Sequence, residues 1–240
     1  MRASRNRAFV VLIATLAFAV SPLLSAGFNG FTPDQFPVVQ PDPPVQPAGF
    51  AFSIWGVIYL WLILSAGYGV LRAADAPDWQ AMRPPLAISL IIGSFWIAAA
   101  NAAPVLATVM IVAMAAAAIL AMLRAGHEQP WLLARPIAVF AGWLTAASGV
   151  AIGVLLGGYG VLSAQTAAIT CLLGVLSVAV AVQSARPREW GYPAAIAWAL
   201  FGVIFANLSG PNLPVIMLAA LGIAALLFRV VQPRTKGISH

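Results

Sequence analysis

The sequence predicts an all-α fold, a polytopic transmembrane helical bundle of about eight spans. Three observations carry this expectation. Of 240 residues, 62% are hydrophobic and only 8% charged, too little charge to cover the surface of a water-soluble domain. Apolar runs near the roughly 20 residues that cross a hydrocarbon core recur along the whole chain. The basic residues fall only in alternate connections between those runs. A strand barrel would show short alternating segments instead.

The runs place spans near 8–28, 50–71, 85–103, 104–123, 133–157, 160–183, 191–208 and 213–231. "RASRNR" followed by "AFVVLIATLAFAV" also has the form of a signal peptide, but "LLSAG" puts Leu24 where a small residue is wanted. The first run is therefore expected to stay as a span. Pro104 marks the turn between the third and fourth spans, which are otherwise fused.

Arg2, Arg5, Arg7, Arg72, Arg83 and Arg124 all fall on one side of this layout, as do Arg135, Arg186, Arg188, Arg229, Arg234 and Lys236. The opposite loops carry only Asp34 and Asp42 as charges. Basic loops favour the cytoplasm, so both termini are expected there, in the cell (inner) membrane. The net charge of +6 then reflects topology and contact with the lipid bilayer. Arg and Lys form no dense patch, so no nucleic-acid partner is expected. The single cysteine, Cys171, lies inside an apolar run and forms no internal disulfide.

Residues 29–50, "NGFTPDQFPVVQPDPPVQPAGF", hold six prolines. Proline fixes φ and favours extended geometry, so this loop is semi-rigid, either a lid over an opening or a stiff connector. In the fifth span Gly149, Gly153 and Gly157 recur every four residues and form one face for close approach. Its partner is another part of the chain or, alternatively, a second copy in a homodimer.

No Asp, Glu, Lys, Arg or His falls mid-span, which argues against ion-coupled transport and against a charged catalytic acid or base in the membrane. His127 and His240 lie outside the spans, away from any cluster with metal-ligand spacing. No catalytic site, metal or cofactor is expected, and the chain is read as a non-enzyme. The spans offer aromatic surface with a few neutral polar groups. On the second span, at about 100° per residue, Phe52, Trp55 and Tyr59 share one face, with Phe50, Trp61 and Tyr68 roughly opposite. Trp96 with Asn101, Trp143 with Thr145 and Ser148, and Trp198 with Asn207 have similar character. Aromatic walls with few hydrogen-bonding groups suit a flat apolar ligand.

"PAGFAFSIWGVIY", with Pro47, Trp55 and Tyr59, resembles the second span of the TspO/MBR family of tryptophan-rich sensory and translocator proteins. "SFWIAAANAAP" resembles its third-span motif through Trp96, and "GWLTAAS" its fifth, with Phe140 and Trp143 in the Tyr and Trp places. The sequence departs from the family at Gly93, where an Asn is usual, at Phe52, where a Pro is usual, and in lacking the fifth-span Leu-Asn pair. The resemblance implies a five-span unit over 1–157, followed by C-terminal spans and a short cytoplasmic tail over 158–240. It implies a multi-pass protein that binds a hydrophobic, planar small molecule, tetrapyrrole- or sterol-like and porphyrin among them, as sensor or carrier. The expected binding residues are Phe52, Trp55, Tyr59, Trp96, Asn101, Phe140 and Trp143. An uncoupled small-molecule transporter and a membrane scaffold or assembly factor are the alternatives.

Overall fold

A computed structural model describes residues 2–25, 28 and 30–231. The expected tail at 232–240 lies outside the described residues. The described chain is all-helical: α1 (Arg2–Val20), α2 (Ile54–Leu71), α3 (Arg83–Ala102), α4 (Pro104–Arg124), α5 (Ala134–Gly158), α6 (Ala164–Ala185), α7 (Gly191–Ala206) and α8 (Leu213–Val231). Seven of these, some extended by 3₁₀ turns, are long and apolar enough to cross a membrane. The eighth, α7, is apolar but has only 16 residues. In lipid each backbone N–H and C=O needs a partner within the chain, which helices supply and open strands do not.

Proline sets several helix starts. Pro84 and Pro104 stand in the first turns of α3 and α4, where no intrahelical donor is lost. Ala103, at φ −148°, makes the turn between them. That hairpin is then bonded across: the Ser89 hydroxyl donates to the Met114 carbonyl at 2.9 Å, and Trp96 Nε1 to the Ala107 carbonyl at 2.9 Å.

Helix α5 is the axis of the bundle. It packs against α4, α6, α7 and α2, and 72% of its span is buried. Its sequence explains this position, because small residues let neighbouring backbones come close where water supplies no driving force between helices. At Gly142 an added Cβ would overlap the Tyr192 carbonyl oxygen of α7. The glycine face is covered from within the chain. Gly149 lies against Val175 of α6, while Gly153 and Gly157 lie against Val45 and Gln40 of the proline-rich loop. These contacts account for the three glycines without a second copy.

The two ends of the bundle differ chemically. At the basic end Arg83, 1% exposed, donates to the carbonyls of Ser4, Gly69, Ala73 and Ala74 and to Gln80 Oε1. It thereby ties α1, the end of α2 and the following loop to α3. The Asp78 carboxylate accepts the His127 and Glu128 backbone N–H groups at 2.7 and 2.8 Å. Arg135 lies over the Trp131 ring, 4.1 Å from its centroid, and 5.7 Å from that of Trp190. Glu189 is half-buried nearby. Burial pushes its carboxyl above the usual range, opposed by the Gly191 N–H and by Arg135 and Arg186.

At the opposite end the proline-rich loop runs across α3, α5 and α7. The Val38 N–H donates to the Gly158 carbonyl at 2.9 Å and the Ala48 N–H to Gly202 at 3.0 Å. Gln35 Nε2 donates to Ala100 at 2.9 Å, and Gln40 Nε2 to Val154 at 3.1 Å. Asn207 Nδ2 reaches back to the Pro44 carbonyl at 2.8 Å. The loop is a cover bonded to three helices, and α7 holds it as firmly as α3 and α5 do.

Candidate functional site

An aromatic cavity lies directly beneath the loop. Phe52 just before α2, Trp55 of α2, Trp96 of α3 and Trp143 of α5 face it, with Gln46 and Pro47 of the loop above. Phe28 and Phe31 add two more rings, and the rest of its wall is small or aliphatic, including Ala146, Ala147 and Val150 of α5 and Ala199 of α7. A turn of 3₁₀ helix, Gly49–Ser53, leads the loop into α2 and sets Phe52 one turn before Trp55. Trp143 then meets both rings edge-on, at 5.9 Å from each. This edge-to-face arrangement is the favoured one for aromatic quadrupoles.

An adjoining void of about 90 Å³ shares Phe28, Trp55 and Trp96 with the first and adds Phe18 and Tyr59. Trp55 stacks on Tyr59, and both meet Phe18 of α1 edge-on at 5.8 and 5.1 Å. The main cavity leaves about 40 Å³ for the centre of a water-sized sphere. Small-molecule sites generally measure about 300–1,000 Å³. The aromatic walls are therefore closed on one another, and a flat ligand needs the rings to part. Phe28, Trp55 and Trp96 line both voids and stand between them.

Two polar atoms in this apolar wall have no hydrogen-bond partner among the described residues. Gln46 Oε1 and Trp143 Nε1 are both buried without a hydrogen bond, and both residues line the cavity. Two other indole N–H groups differ: Trp96 Nε1 is bonded to Ala107, and Trp198 Nε1 to the Ala51 carbonyl at 2.8 Å. A buried unpaired donor or acceptor costs roughly 1–3 kcal/mol, so its presence calls for an explanation.

Of the seven residues expected to bind, the structure gathers Phe52, Trp55, Trp96 and Trp143 around the main cavity and Tyr59 around its neighbour. Phe140 lies one layer behind, fully buried, with its ring 5.5 Å from Phe18, and it supports the wall instead of lining it. Asn101 does not join the site. It is exposed at the end of α3, where its backbone carbonyl accepts from Gln35 Nε2 at 3.3 Å. α3 ends one residue later, which places Asn101 at the covered end of the bundle and away from the aromatic wall.

The opposite face of α2 is divided among three neighbours. Phe50 packs edge-on against Trp198 and Phe205, Trp61 stacks on Trp131 and donates to its carbonyl at 2.7 Å, and Tyr68 lies over Trp79. Sequence reasoning missed Phe28, Phe31, Gln46 and Ala199 as lining residues. Only Gln46 carried a signal, as an amide set among prolines. Gly30, at φ +116°, lies against the Gln46 side chain, and both the sign of φ and the space there require glycine. Among the described residues no group of three or more His, Cys, Asp or Glu could hold a metal ion.

An aromatic cavity under a proline-rich cover, inside a polytopic helical membrane bundle, defines a class of intramembrane protein with a small enclosed site. The chain belongs to the TSPO-like protein family, whose model matches residues 8–232. The match runs through the C-terminal helices as well as the first five. No curated protein and no solved structure matches this chain. The protein is thus a multi-pass membrane protein of the TspO type.

Proposed function

We propose that this protein is a non-enzymatic binder of a hydrophobic, flat small molecule with a tetrapyrrole- or sterol-like ring system, acting as a sensor or carrier. The observation that carries the reading is the pair of unpartnered polar atoms, Gln46 Oε1 and Trp143 Nε1, in an otherwise aromatic cavity. A ring system with one hydrogen-bond donor and one acceptor would satisfy both while its faces meet Trp55 and Phe52. Fluorescence titration of the detergent-purified protein with a porphyrin tests it. Saturable tryptophan quenching is expected; quenching that stays linear or absent overturns the reading.

The orientation belongs to the same proposal. The ends bearing Arg2, Arg72, Arg124 and Arg186 face the cytoplasm of an inner membrane, and the covered cavity opens toward the opposite side.

A further inference from the structure

A second cavity is larger than the aromatic one. A groove of about 430 Å³ lies between α4 and α6, with α5 as its floor. Both outer helices pack on α5 and barely touch each other. Ala116 on one wall, Gly174 on the other and Ile152 on the floor are exposed, so the groove opens sideways. Ala116 and Gly174 stand near the midpoints of α4 and α6, which puts the mouth at the level of lipid tails. The hydroxyls in the floor are already engaged. Thr145 Oγ1 donates to the Ala141 carbonyl and meets Tyr192 at 3.0 Å, and Ser148 Oγ donates to Leu144 at 2.7 Å. Apart from the Thr170 hydroxyl and the Cys171 thiol on the α6 wall, the groove therefore presents hydrocarbon.

A third void links groove and cavity. It is small, about 10 Å³, and shares Gly149, Cys171 and Val175 with the groove. On its other side it shares Ala146, Val150 and Ala199 with the aromatic cavity. The three spaces form a line that passes between α5 and α6. The neck is the Val175 side chain seated on Gly149. Among the described residues no hydrogen bond joins α5 to α6, so parting them at the neck breaks only packing contacts. The route from water is different, because it must lift a loop bonded to three helices.

We propose that the groove between α4, α5 and α6 is the lateral entrance by which an apolar ligand passes from the lipid phase into the aromatic cavity. The proposal rests on the ligand-binding reading above. A flat apolar molecule is concentrated in the bilayer before it meets the protein. A side entrance at tail depth lets it arrive without crossing water, and Val175 acts as the gate.

Gly174→Phe tests this in the full-length protein reconstituted into phosphatidylcholine vesicles. An added Cβ at Gly174 meets nothing within 4 Å, so the ring can lie in the groove without an internal clash. A porphyrin already partitioned into the vesicles is the probe, with tryptophan quenching followed by stopped flow. Association and dissociation are both expected to slow about ten-fold at unchanged affinity, because a plugged route changes the barrier and not the end states. Ala116→Phe, from the facing wall, should reproduce the effect if Gly174→Phe folds poorly. Leu173→Phe, exposed on α6 outside the groove, should bind at the wild-type rate. Wild-type rates in both groove variants, with quenching intact, overturn the entrance and leave the cavity reading standing. No saturable quenching in the wild type overturns the cavity reading, and the entrance with it.

Discussion

Trp55 lies nearly parallel to Tyr59, one helical turn further along α2, with ring centroids 5.5 Å apart and planes inclined by 16°. The two rings form a single slab between the main cavity and its neighbour. Trp55→Ala should open a hole in that slab and remove a stacking surface. One aromatic contact contributes about 0.5–1.5 kcal/mol beyond area burial, so porphyrin affinity should fall about two- to twelve-fold. Trp61→Ala is the contrast. Trp61 is bound to Trp131 at the basic end, so its loss should lower thermal stability and leave affinity alone. Equal affinity losses in two folded variants would show that α2 is not oriented by ligand contact.

The unpaired groups make a sharper test. Trp143→Phe and Gln46→Leu each remove a buried polar atom that has no partner in the empty protein. Stability of the unliganded variants should stay within about 1 kcal/mol of wild type, since lost packing is offset by the lost desolvation penalty. Affinity for a porphyrin should drop in both, by roughly two- to twelve-fold for one hydrogen bond. Detergent thermal shift and quenching titration on the same samples give the two readings. Unchanged affinity in both variants would mean that these atoms do not meet the ligand.

Close approach of α5 and α7 depends on Gly142. An added Cβ there overlaps a backbone oxygen of α7, which cannot rotate away. Gly142→Leu should therefore push the two helices apart, cost on the order of 3 kcal/mol and lower the melting temperature. Gly174→Leu, with open space at the same atom, should leave it nearly unchanged.

Glu189 supplies a pH dependence. Burial raises its carboxyl above the ordinary value in the folded protein, so the folded state binds that proton more tightly than the unfolded one. Its contribution must then be lost as pH climbs from the ordinary carboxylate value, about 4.3, through the raised one. Glu189→Gln should flatten the stability curve in that window and leave it unchanged at lower pH. Thermal unfolding across a pH series checks the sign, and a wild-type curve that rises there with no change in the variant would refute it.

Orientation in the membrane is open to direct labelling. With Cys171 replaced, single cysteines introduced at the exposed Val39 and Val161, at the covered end, should react with an impermeant maleimide from outside. Those at Asp78, Glu128 and Arg188 should react only after the membrane is opened. External labelling at Glu128 would invert the placement of the covered cavity.

The helices were legible because a bilayer leaves few alternatives. Apolar runs of about 20 residues must be helical, and charges can interrupt them only at the ends. Pro104 divided two fused runs by removing a donor, and the structure turns at the residue before it. The aromatic side of α2 followed from helical spacing, and Phe52, Trp55 and Tyr59 do face inward together. What spacing does not encode is depth and distance across the bundle. Asn101 and Asn207 both lie near the cover, yet one is exposed and the other is drawn inward to bond Pro44. The glycine face of α5 was visible, but two of its three glycines meet a loop more than a hundred residues away in sequence. Gln46 is likewise brought to the cavity by the loop's path, which depends on three helices that follow it in sequence.

The bonds that hold the proline-rich loop have a consequence for how it moves. The loop supplies donors close to the C-terminal ends of all three helices: Ala100 of α3 and Gly158 of α5 have carbonyls that their own helices cannot serve, and Gly202 of α7 lies one turn before its end. It works as a shared C-terminal cap. Proline gives its backbone little freedom to peel away in pieces. Freeing it from one helix therefore strains its hold on the other two, so opening becomes a concerted event, with water taking the place of every donor at once. A cover built in this way has two settings, shut and fully released, and no stable halfway position.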